Sequence, residues 1–96
     1  MIKEKNTREM YAKNREKIMQ KARNSKSGFF GVGFYNNGNV ALSTTSTKSE
    51  IYWNDNPEFY FQVPCNTLLN YRYLDELFTK ALNNYLVTGK NPFFDK

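Results

Sequence analysis

Histidine is absent from the 96 residues of this chain, and cysteine occurs only once, as Cys65. One cysteine cannot form an internal disulfide, and without histidine there is no Ser-His or Cys-His pair, no zinc cluster and no ordinary proton shuttle near neutral pH. We expect Cys65 to be a small buried thiol rather than a nucleophile. We therefore predict that the protein is not an enzyme and uses no cofactor or metal ion.

Long apolar runs are also missing, since no stretch approaches the length of a signal sequence or a membrane span. The abundance of asparagine, lysine, phenylalanine and tyrosine is typical of phages and low-GC bacteria. We therefore expect an intracellular protein, cytoplasmic in a bacterial host cell, with no membrane partner. A chain of this length makes one core with little volume for an enclosed active site, so we expect function on the surface.

The charge is concentrated at one end of the chain. Residues 1–26 contain nine basic and three acidic side chains, a net charge of +6, whereas residues 27–96 contain five basic and six acidic side chains, a net charge of −1. The sequence therefore divides into a basic segment, residues 1–26, and a nearly neutral small α+β domain, residues 27–96.

The basic segment is predicted to be a helical arm. Asn6 and Glu9 have the spacing of a capping box, and no glycine or proline interrupts the segment before Gly28. Its apolar residues form only a narrow stripe, too weak to bury a full face. The arm is interpreted either as a solvated helix or as a binding element for nucleic-acid phosphates or an acidic protein surface. Its candidate binding residues are Arg8, Lys13, Arg15, Lys17, Lys21, Arg23 and Lys26, and its apolar stripe is Met10, Tyr11, Ile18 and Ala22.

The stretch SGFFGVGFYNNGN, residues 27–39, holds four of the five glycines. Its glycine spacing is not the G-x-G-x-x-G of a dinucleotide site, and no helix follows it. Alternation of large residues with glycine indicates a strand, and Asn37-Gly38 favours a two-residue type I′ hairpin turn. That turn pairs Tyr35 with Val40 and Gly33 with Leu42, and the glycines would let a helix approach their face of the sheet.

The remaining elements complete an α+β fold. Short strands are predicted at residues 51–53 and 58–63, separated by a turn at residues 54–57. Apolar residues then recur at helical steps from about residue 67, until Gly89 and Pro92 end the helix. The predicted architecture is a basic N-terminal helix, a three- to four-stranded antiparallel sheet, and a C-terminal helix packed on the sheet.

Aromatic residues form a second set of candidates. If exposed on the sheet they could stack on nucleic-acid bases, and tyrosine and tryptophan also anchor protein interfaces. The structural alternative is a sheet covered on one face by the C-terminal helix and on the other partly by the N-terminal arm. The candidate aromatic surface is Tyr35, Tyr52, Trp53 and Tyr60.

The run from Ser27 to Phe34, SGFFGVGF, resembles the first strand of AP2-type DNA-binding domains, and the order of three strands followed by a helix over residues 27–94 is similar. The resemblance implies a sheet that lies in the DNA major groove, with arginines and a tryptophan on its strands. This chain departs from that pattern, because residues 40–45 contain neither residue type and Trp53 is the only tryptophan.

In size and composition the chain also resembles phage-encoded inhibitors of bacterial defence, including anti-CRISPR proteins. Two hypotheses follow. In the first, the protein is a non-enzymatic inhibitor that binds a host protein or nucleoprotein complex and blocks its nucleic-acid-binding surface. In the second, it is a small basic DNA- or RNA-binding protein that uses the arm for phosphates and the sheet for bases. The first is favoured because the predicted strands lack basic side chains.

Overall fold

The computed structural model describes residues 3–25, 28–43 and 55–91. The elements follow in the order α1 (Glu4–Asn24), β1 (Phe29–Phe34), β2 (Val40–Leu42), β3 (Phe59–Pro64) and α2 (Tyr71–Thr88). The strands form one antiparallel sheet in the order β2-β1-β3. The predicted α+β class, with an N-terminal helix and a C-terminal helix that packs on the sheet, is confirmed. The strand predicted at residues 51–53 lies outside the described residues.

One face of the sheet forms the floor of the core. Side chains alternate between the two faces of a strand, and the large apolar residues of β1 and β3 occupy the same face. Their aromatic rings lie 5.4–6.4 Å apart, at separations typical of favourable ring pairs. All six side chains on this face are at most 1% exposed; Phe30, Val32 and Phe34 of β1 pair with Val63, Phe61 and Phe59 of β3.

Both helices cover this same face. The ring of Tyr11 in α1 stacks on Phe78 of α2 with a centroid distance of 4.0 Å, and both rings contact Phe61 of β3 edge-on. The alternative in which the arm covers the second face is therefore wrong. Gly31 and Gly33 lie on the face opposite the helices, so the prediction that they admit a helix is also wrong.

The β1–β2 hairpin forms, but its turn differs from the predicted one. Gly33 pairs with Ala41 rather than Leu42, and the Tyr35 amide donates to the carbonyl of Asn39, which leaves a three-residue loop. A type I′ turn needs a positive φ at both central residues, whereas no described residue other than glycine has a positive φ. Gly38, with φ 94°, closes the loop instead. The predicted pairing was therefore wrong by one residue, which exchanges the faces of β2.

Both ends of α2 are capped. The Asn70 side chain accepts a 2.8 Å hydrogen bond from the Tyr73 amide at the N-terminus. Gly89 adopts the left-handed conformation, and its amide donates to the Tyr85 carbonyl at the C-terminus. The helix starts at Tyr71 rather than near residue 67, because the preceding residues form a turn around Asn66, whose side chain accepts from the Leu68 amide.

The first helix starts earlier than the capping box predicted. Lys3 is the N-cap residue and offers no side-chain cap, and Asn6 lies inside the helix. The predicted capping box is therefore wrong. The apolar stripe is narrow, as expected; of its predicted members, Tyr11, Ile18 and Ala22 are buried and Met10 is half-buried. Two buried residues of α1, Thr7 and Met19, were not predicted.

Burial of this stripe predicts that α1 contributes to global stability. Ile18 is fully buried, so an Ile18→Ala substitution should lower the free energy of unfolding by about 2–4 kcal/mol through lost burial and an unfilled cavity. Urea unfolding followed by circular dichroism measures the effect. The exposed Gln20→Ala variant on the same helix should stay within about 0.5 kcal/mol of the parent. Equal effects of the two substitutions would contradict the packing described here.

Candidate binding surface of the first helix

Arg15 is bound to α2 by a bidentate ion pair. Its Nε and Nη2 atoms donate to the two carboxylate oxygens of Asp75 at 2.8 and 2.7 Å. The hydroxyl of Tyr11, one turn earlier on α1, donates to the same carboxylate at 2.6 Å. Asp75 therefore receives three hydrogen bonds from α1, and these fix the rotation of α1 about its own axis.

This network changes the protonation equilibria of its members. The hydrogen bonds from Arg15 hold the pKa of the Asp75 carboxyl below its ordinary value; partial burial opposes this change, and the hydrogen bond from Tyr11 adds to it. The hydrogen bond to Asp75 raises the pKa of Arg15. Burial and the neighbouring carboxylate raise the pKa of the Tyr11 hydroxyl. Near neutral pH the network therefore consists of a carboxylate, a guanidinium and a neutral phenol.

Arg23 forms a second link between the helices. Its Nε and Nη2 atoms donate to the Leu69 carbonyl at 2.9 and 2.7 Å, just before α2 begins. The Tyr71 ring lies near both arginines, with its centroid 4.3 Å from Cζ of Arg15 and 5.9 Å from Cζ of Arg23. Two of the predicted binding residues, Arg15 and Arg23, are therefore used to attach α1 to the rest of the fold.

Arg8 has a different environment. It forms an exposed ion pair with Glu4 on the same helix at 2.8 Å. Such i,i+4 pairs contribute little to stability because solvent screens both charges. Arg8 therefore remains accessible, although Glu4 partly neutralises its charge.

Three of the predicted lysines lie at successive four-residue steps on α1. Lys13 and Lys17 are exposed, whereas Lys21 is half-buried with its Nζ atom 5.4 Å from the centroid of the Phe30 ring. Four helical residues rise about 6 Å, so the three side chains mark one line about 12 Å long. We refer to Lys13, Lys17 and Lys21 as the lysine stripe.

A groove between α1 and the β1–β2 turn begins at the lysine stripe. Its volume is about 430 Å³, and it joins one predicted basic residue, Lys13, to one predicted aromatic residue, Tyr35. The Tyr35 hydroxyl donates to the Asp55 carbonyl at 2.6 Å, which restrains the ring. Burial and the Asp55 charge raise the pKa of Tyr35, so the phenol is neutral at physiological pH. We call this the turn groove; it is lined by Lys3, Asn6, Glu9, Met10, Lys13, Tyr35, Asn36 and Gly38.

Tyr60 is the other described member of the predicted aromatic surface, and it is not among the residues that line this groove. Tyr60 lies half-buried on β3, opposite Gly33, and its amide donates to the side chain of Asn91. Burial raises the pKa of its hydroxyl. Tyr52 and Trp53, together with Lys26 of the basic set, lie outside the described residues.

A larger groove, of about 690 Å³, separates the two helices on the arginine side. Four of its five charged residues are already paired: Asp75 binds Arg15, and Glu76 lies 3.7 Å from Arg72, while Lys80 also lines the groove. The turn groove has no corresponding ion pair among the described contacts. The remaining residues of the turn groove were not predicted as binding residues, because only the docking of α1 beside the turn brings Lys3, Asn6 and Asn36 together.

Cys65 is buried, as predicted. Within residues 3–25, 28–43 and 55–91, no three acidic, histidine or cysteine side chains cluster closely enough to hold a metal ion. Neither described helix combines the length and the apolar character needed to cross a bilayer.

No family model, no curated protein and no solved structure matches this chain.

The Asp75 network predicts a dependence of stability on pH. Because the folded pKa of Asp75 lies below its unfolded value of about 3.9, the unfolded chain takes up the proton first. The stabilising contribution is therefore complete above about pH 4 and disappears as the pH falls through the folded pKa. An Asp75→Asn variant should be less stable than the parent at pH 7, and this difference should shrink towards pH 2.

Urea titrations over this pH range test the prediction. The adjacent Glu76→Gln variant is a suitable control, because the Glu76 side chain is 61% exposed and its nearest cation lies 3.7 Å away. A difference between the parent and Asp75→Asn that is constant from pH 7 to pH 2 would show that the carboxylate does not link the helices.

Proposed function

We propose that the protein is a phage-type inhibitor that acts without turnover. It binds a nucleic-acid-handling defence complex of a bacterial host, in the manner of anti-CRISPR proteins, and blocks the nucleic-acid-binding surface of that complex. The lysine stripe of α1 is its docking element. The observation that carries this proposal is the division of labour on α1: Arg15 and Arg23 are engaged in contacts with the rest of the fold, whereas Lys13 and Lys17 are exposed.

The rigidity of α1 supports a role in docking. A disordered basic arm loses conformational entropy when it binds, whereas this helix is already fixed by Tyr11, Arg15 and Arg23. The lysine stripe is therefore presented with a defined direction and spacing. Such preorganisation favours a partner with a complementary anionic surface.

The composition of the sheet argues against direct reading of a DNA duplex. The three described strands, FFGVGF, VAL and FYFQVP, contain no charged residue. A sheet that reads bases needs side chains that donate to base edges and phosphates, most often arginine or lysine. This supports a partner complex over the AP2-like mode of binding.

The small number of lysines supports the same choice. Each phosphate contact contributes about 0.7–0.9 to the slope of log affinity against log salt concentration. Three contacts from the lysine stripe would therefore give a slope of only about two to three. Such a small electrostatic contribution gives weak binding to free nucleic acid at physiological salt. A complex supplies further contacts beside the phosphates or acidic side chains that the lysine stripe engages.

Direct binding of DNA or RNA is the alternative function. The turn groove favours it, because Lys13 and Tyr35 line the same depression. This combination of cation and ring occurs in proteins that bind single strands.

Neutralising the lysine stripe tests the proposal. The variant that combines Lys13→Gln, Lys17→Gln and Lys21→Gln should be a weaker inhibitor of target-DNA binding by a susceptible RNA-guided defence complex. Its inhibition constant should be about tenfold higher than that of the parent, since exposed ion pairs contribute about 0.5 kcal/mol each. Fluorescence anisotropy of labelled target DNA, measured across a panel of purified complexes, gives the inhibition constant. The matched control carries Lys5→Gln, Lys80→Gln and Lys90→Gln, which remove the same charge from other exposed positions.

Two outcomes would overturn parts of this account. Equal inhibition by the parent and the lysine-stripe variant would show that α1 is not the docking element. If the parent inhibits no complex of the panel but binds free nucleic acid with micromolar affinity in the same buffer, the alternative function replaces the proposed one.

A further inference from the structure

We propose that the outer edge of β2 binds an extended, acidic segment of a partner protein, which adds to the sheet as a further strand beside the lysine stripe. The inference rests on the proposed function, because it names the chemistry of the surface that the protein engages on the defence complex. Two features of the fold support it: the backbone groups that β2 directs outward, and the position of the lysine stripe above the same edge.

The hydrogen bonds of the hairpin determine which backbone groups of β2 point outward. The Asn39 carbonyl accepts from β1's side of the hairpin at 2.9 Å, and the Ser43 amide donates to that side at 2.8 Å. Inward and outward positions alternate along an antiparallel strand. Val40 and Leu42 therefore direct their N–H and C=O groups away from β1, and no hydrogen bond to these groups occurs among the described residues.

The opposite edge of the sheet, on β3, is blocked at two of its outward positions. The Tyr60 amide donates to the side chain of Asn91 at 2.9 Å, and Pro64, four residues further along the same edge, has no N–H group. Such features protect an edge from pairing with another chain. The β2 sequence, VAL, contains neither a charge nor a proline, so the outer edge of β2 is open to an added strand.

The lysine stripe lies on the side of α1 that overhangs β2. In the helix layer α1 packs on β1 and β2, whereas α2 packs on β3. Arg15 points towards α2, and Lys13 and Lys17 lie about 200° around the helix from it. The Nζ atom of Lys21 is 5.4 Å from the ring centroid of Phe30 in β1. A strand added about 4.8 Å outside β2 would therefore run beside the lysine stripe.

Charge complementarity indicates an acidic segment. The side chains of Val40 and Leu42 lie on the helix-covered face of the sheet, since they pair with Phe34 and Val32. Every second side chain of an added strand would lie on that face as well, where aspartate or glutamate would meet the lysines. Backbone hydrogen bonds then provide affinity, and the alternate side chains provide specificity.

Other occupants suit this edge less well. Antiparallel pairing with β2 of a second copy would place both α1 helices on the same face of the joined sheet, so that the two lysine stripes would repel each other. A nucleic-acid strand could meet the lysines, but its phosphates only accept hydrogen bonds. They would leave the Val40 and Leu42 carbonyls without a partner, whereas an extended peptide offers both donors and acceptors.

The test titrates the isotope-labelled protein with short synthetic peptides and follows the backbone amide signals by nuclear magnetic resonance. A peptide of alternating glutamate and valine should move the Val40 and Leu42 signals. A peptide of alternating lysine and valine should bind about tenfold or more weakly, because its charges oppose the lysine stripe. Of two glutamate peptides N-methylated on alternate residues, one should lose about tenfold or more in affinity because its methyl groups face β2. The other should bind like the unmodified peptide.

A substitution at the edge provides the matching test on the protein. Val40→Pro removes an outward N–H and no hydrogen bond to β1, so it should weaken binding of the glutamate peptide about tenfold. Val40→Ala keeps that N–H and should bind like the parent. Thermal unfolding identifies a folding defect; if Val40→Pro is unfolded, the comparison of the two methylated peptides on the parent decides.

Several results would overturn the proposal. These are equal affinity for the two methylated peptides, equal affinity for the glutamate and lysine peptides, and no binding of the glutamate peptide. A dimer of the parent that Val40→Pro dissociates in analytical ultracentrifugation would assign the edge to a second copy. A thymidine oligonucleotide that moves the Val40 and Leu42 signals more than the glutamate peptide does would assign it to nucleic acid.

The inhibition assay separates this proposal from the proposed function. If the glutamate peptide does not bind while the lysine-stripe variant still loses inhibition, the proposed function stands and the edge site fails. If the peptides behave as expected while the parent inhibits no complex of the panel, the edge site stands and the proposed function fails.

Discussion

The contact between Tyr11 and α2 fixes the position of the basic helix. The Tyr11 ring stacks on Phe78 at 4.0 Å, and its hydroxyl reaches Asp75 at 2.6 Å. Burying the ring favours the contact through its area, while the hydroxyl satisfies its hydrogen bond at the edge of the core. With Arg15 bound to the same carboxylate, α1 has one rotation about its axis that satisfies all three groups. This rotation determines which basic residues of α1 face solvent.

The rotation of α1 gives its arginines and its lysines different roles, and these roles follow from the chemistry of the two side chains. Arg15 and Arg23 use planar guanidinium groups for bidentate contacts to a carboxylate and to a single carbonyl. Lysine has no such fork, and its ammonium group is a strongly hydrated point charge on a flexible stem. The arginines therefore serve as attachments within the fold. Lys13 and Lys17 remain as exposed charges that a partner can use, and the net charge of residues 1–26 overstates what is available for binding.

Sequence patterns predicted most of the fold because its elements are marked locally. Gly89 ends α2 as predicted, and alternation identified β1 and β3 as strands, whereas the start of α2 after Asn70 and the face of the sheet that the helices cover were not predicted. The hairpin register failed, because Asn37-Gly38 fits two kinds of turn and only the φ angles distinguish them. The capping box failed for a related reason, since Lys3 begins α1 without any side-chain signal.

The candidate site was much less predictable. Arg15 and Asp75 are 60 residues apart, and no local pattern indicates that one neutralises the other. The turn groove likewise combines the first turns of α1 with a hairpin that follows it in the chain. The sequence could name Lys13 and Tyr35 as separate candidates. Only the packing of α1 on the sheet shows that they share a surface.

Hydrogen exchange of the α1 backbone amides tests the central claim most directly. If α1 is an integral part of the core, the amides of Ile18, Met19 and Ala22 should exchange only through global unfolding, with the same opening free energy as those of Leu82 in α2. That result would establish that α1 is a rigid part of the folded core. Exchange of these α1 amides through a much smaller local opening, while Leu82 remains protected, would instead describe a detachable arm and contradict the account.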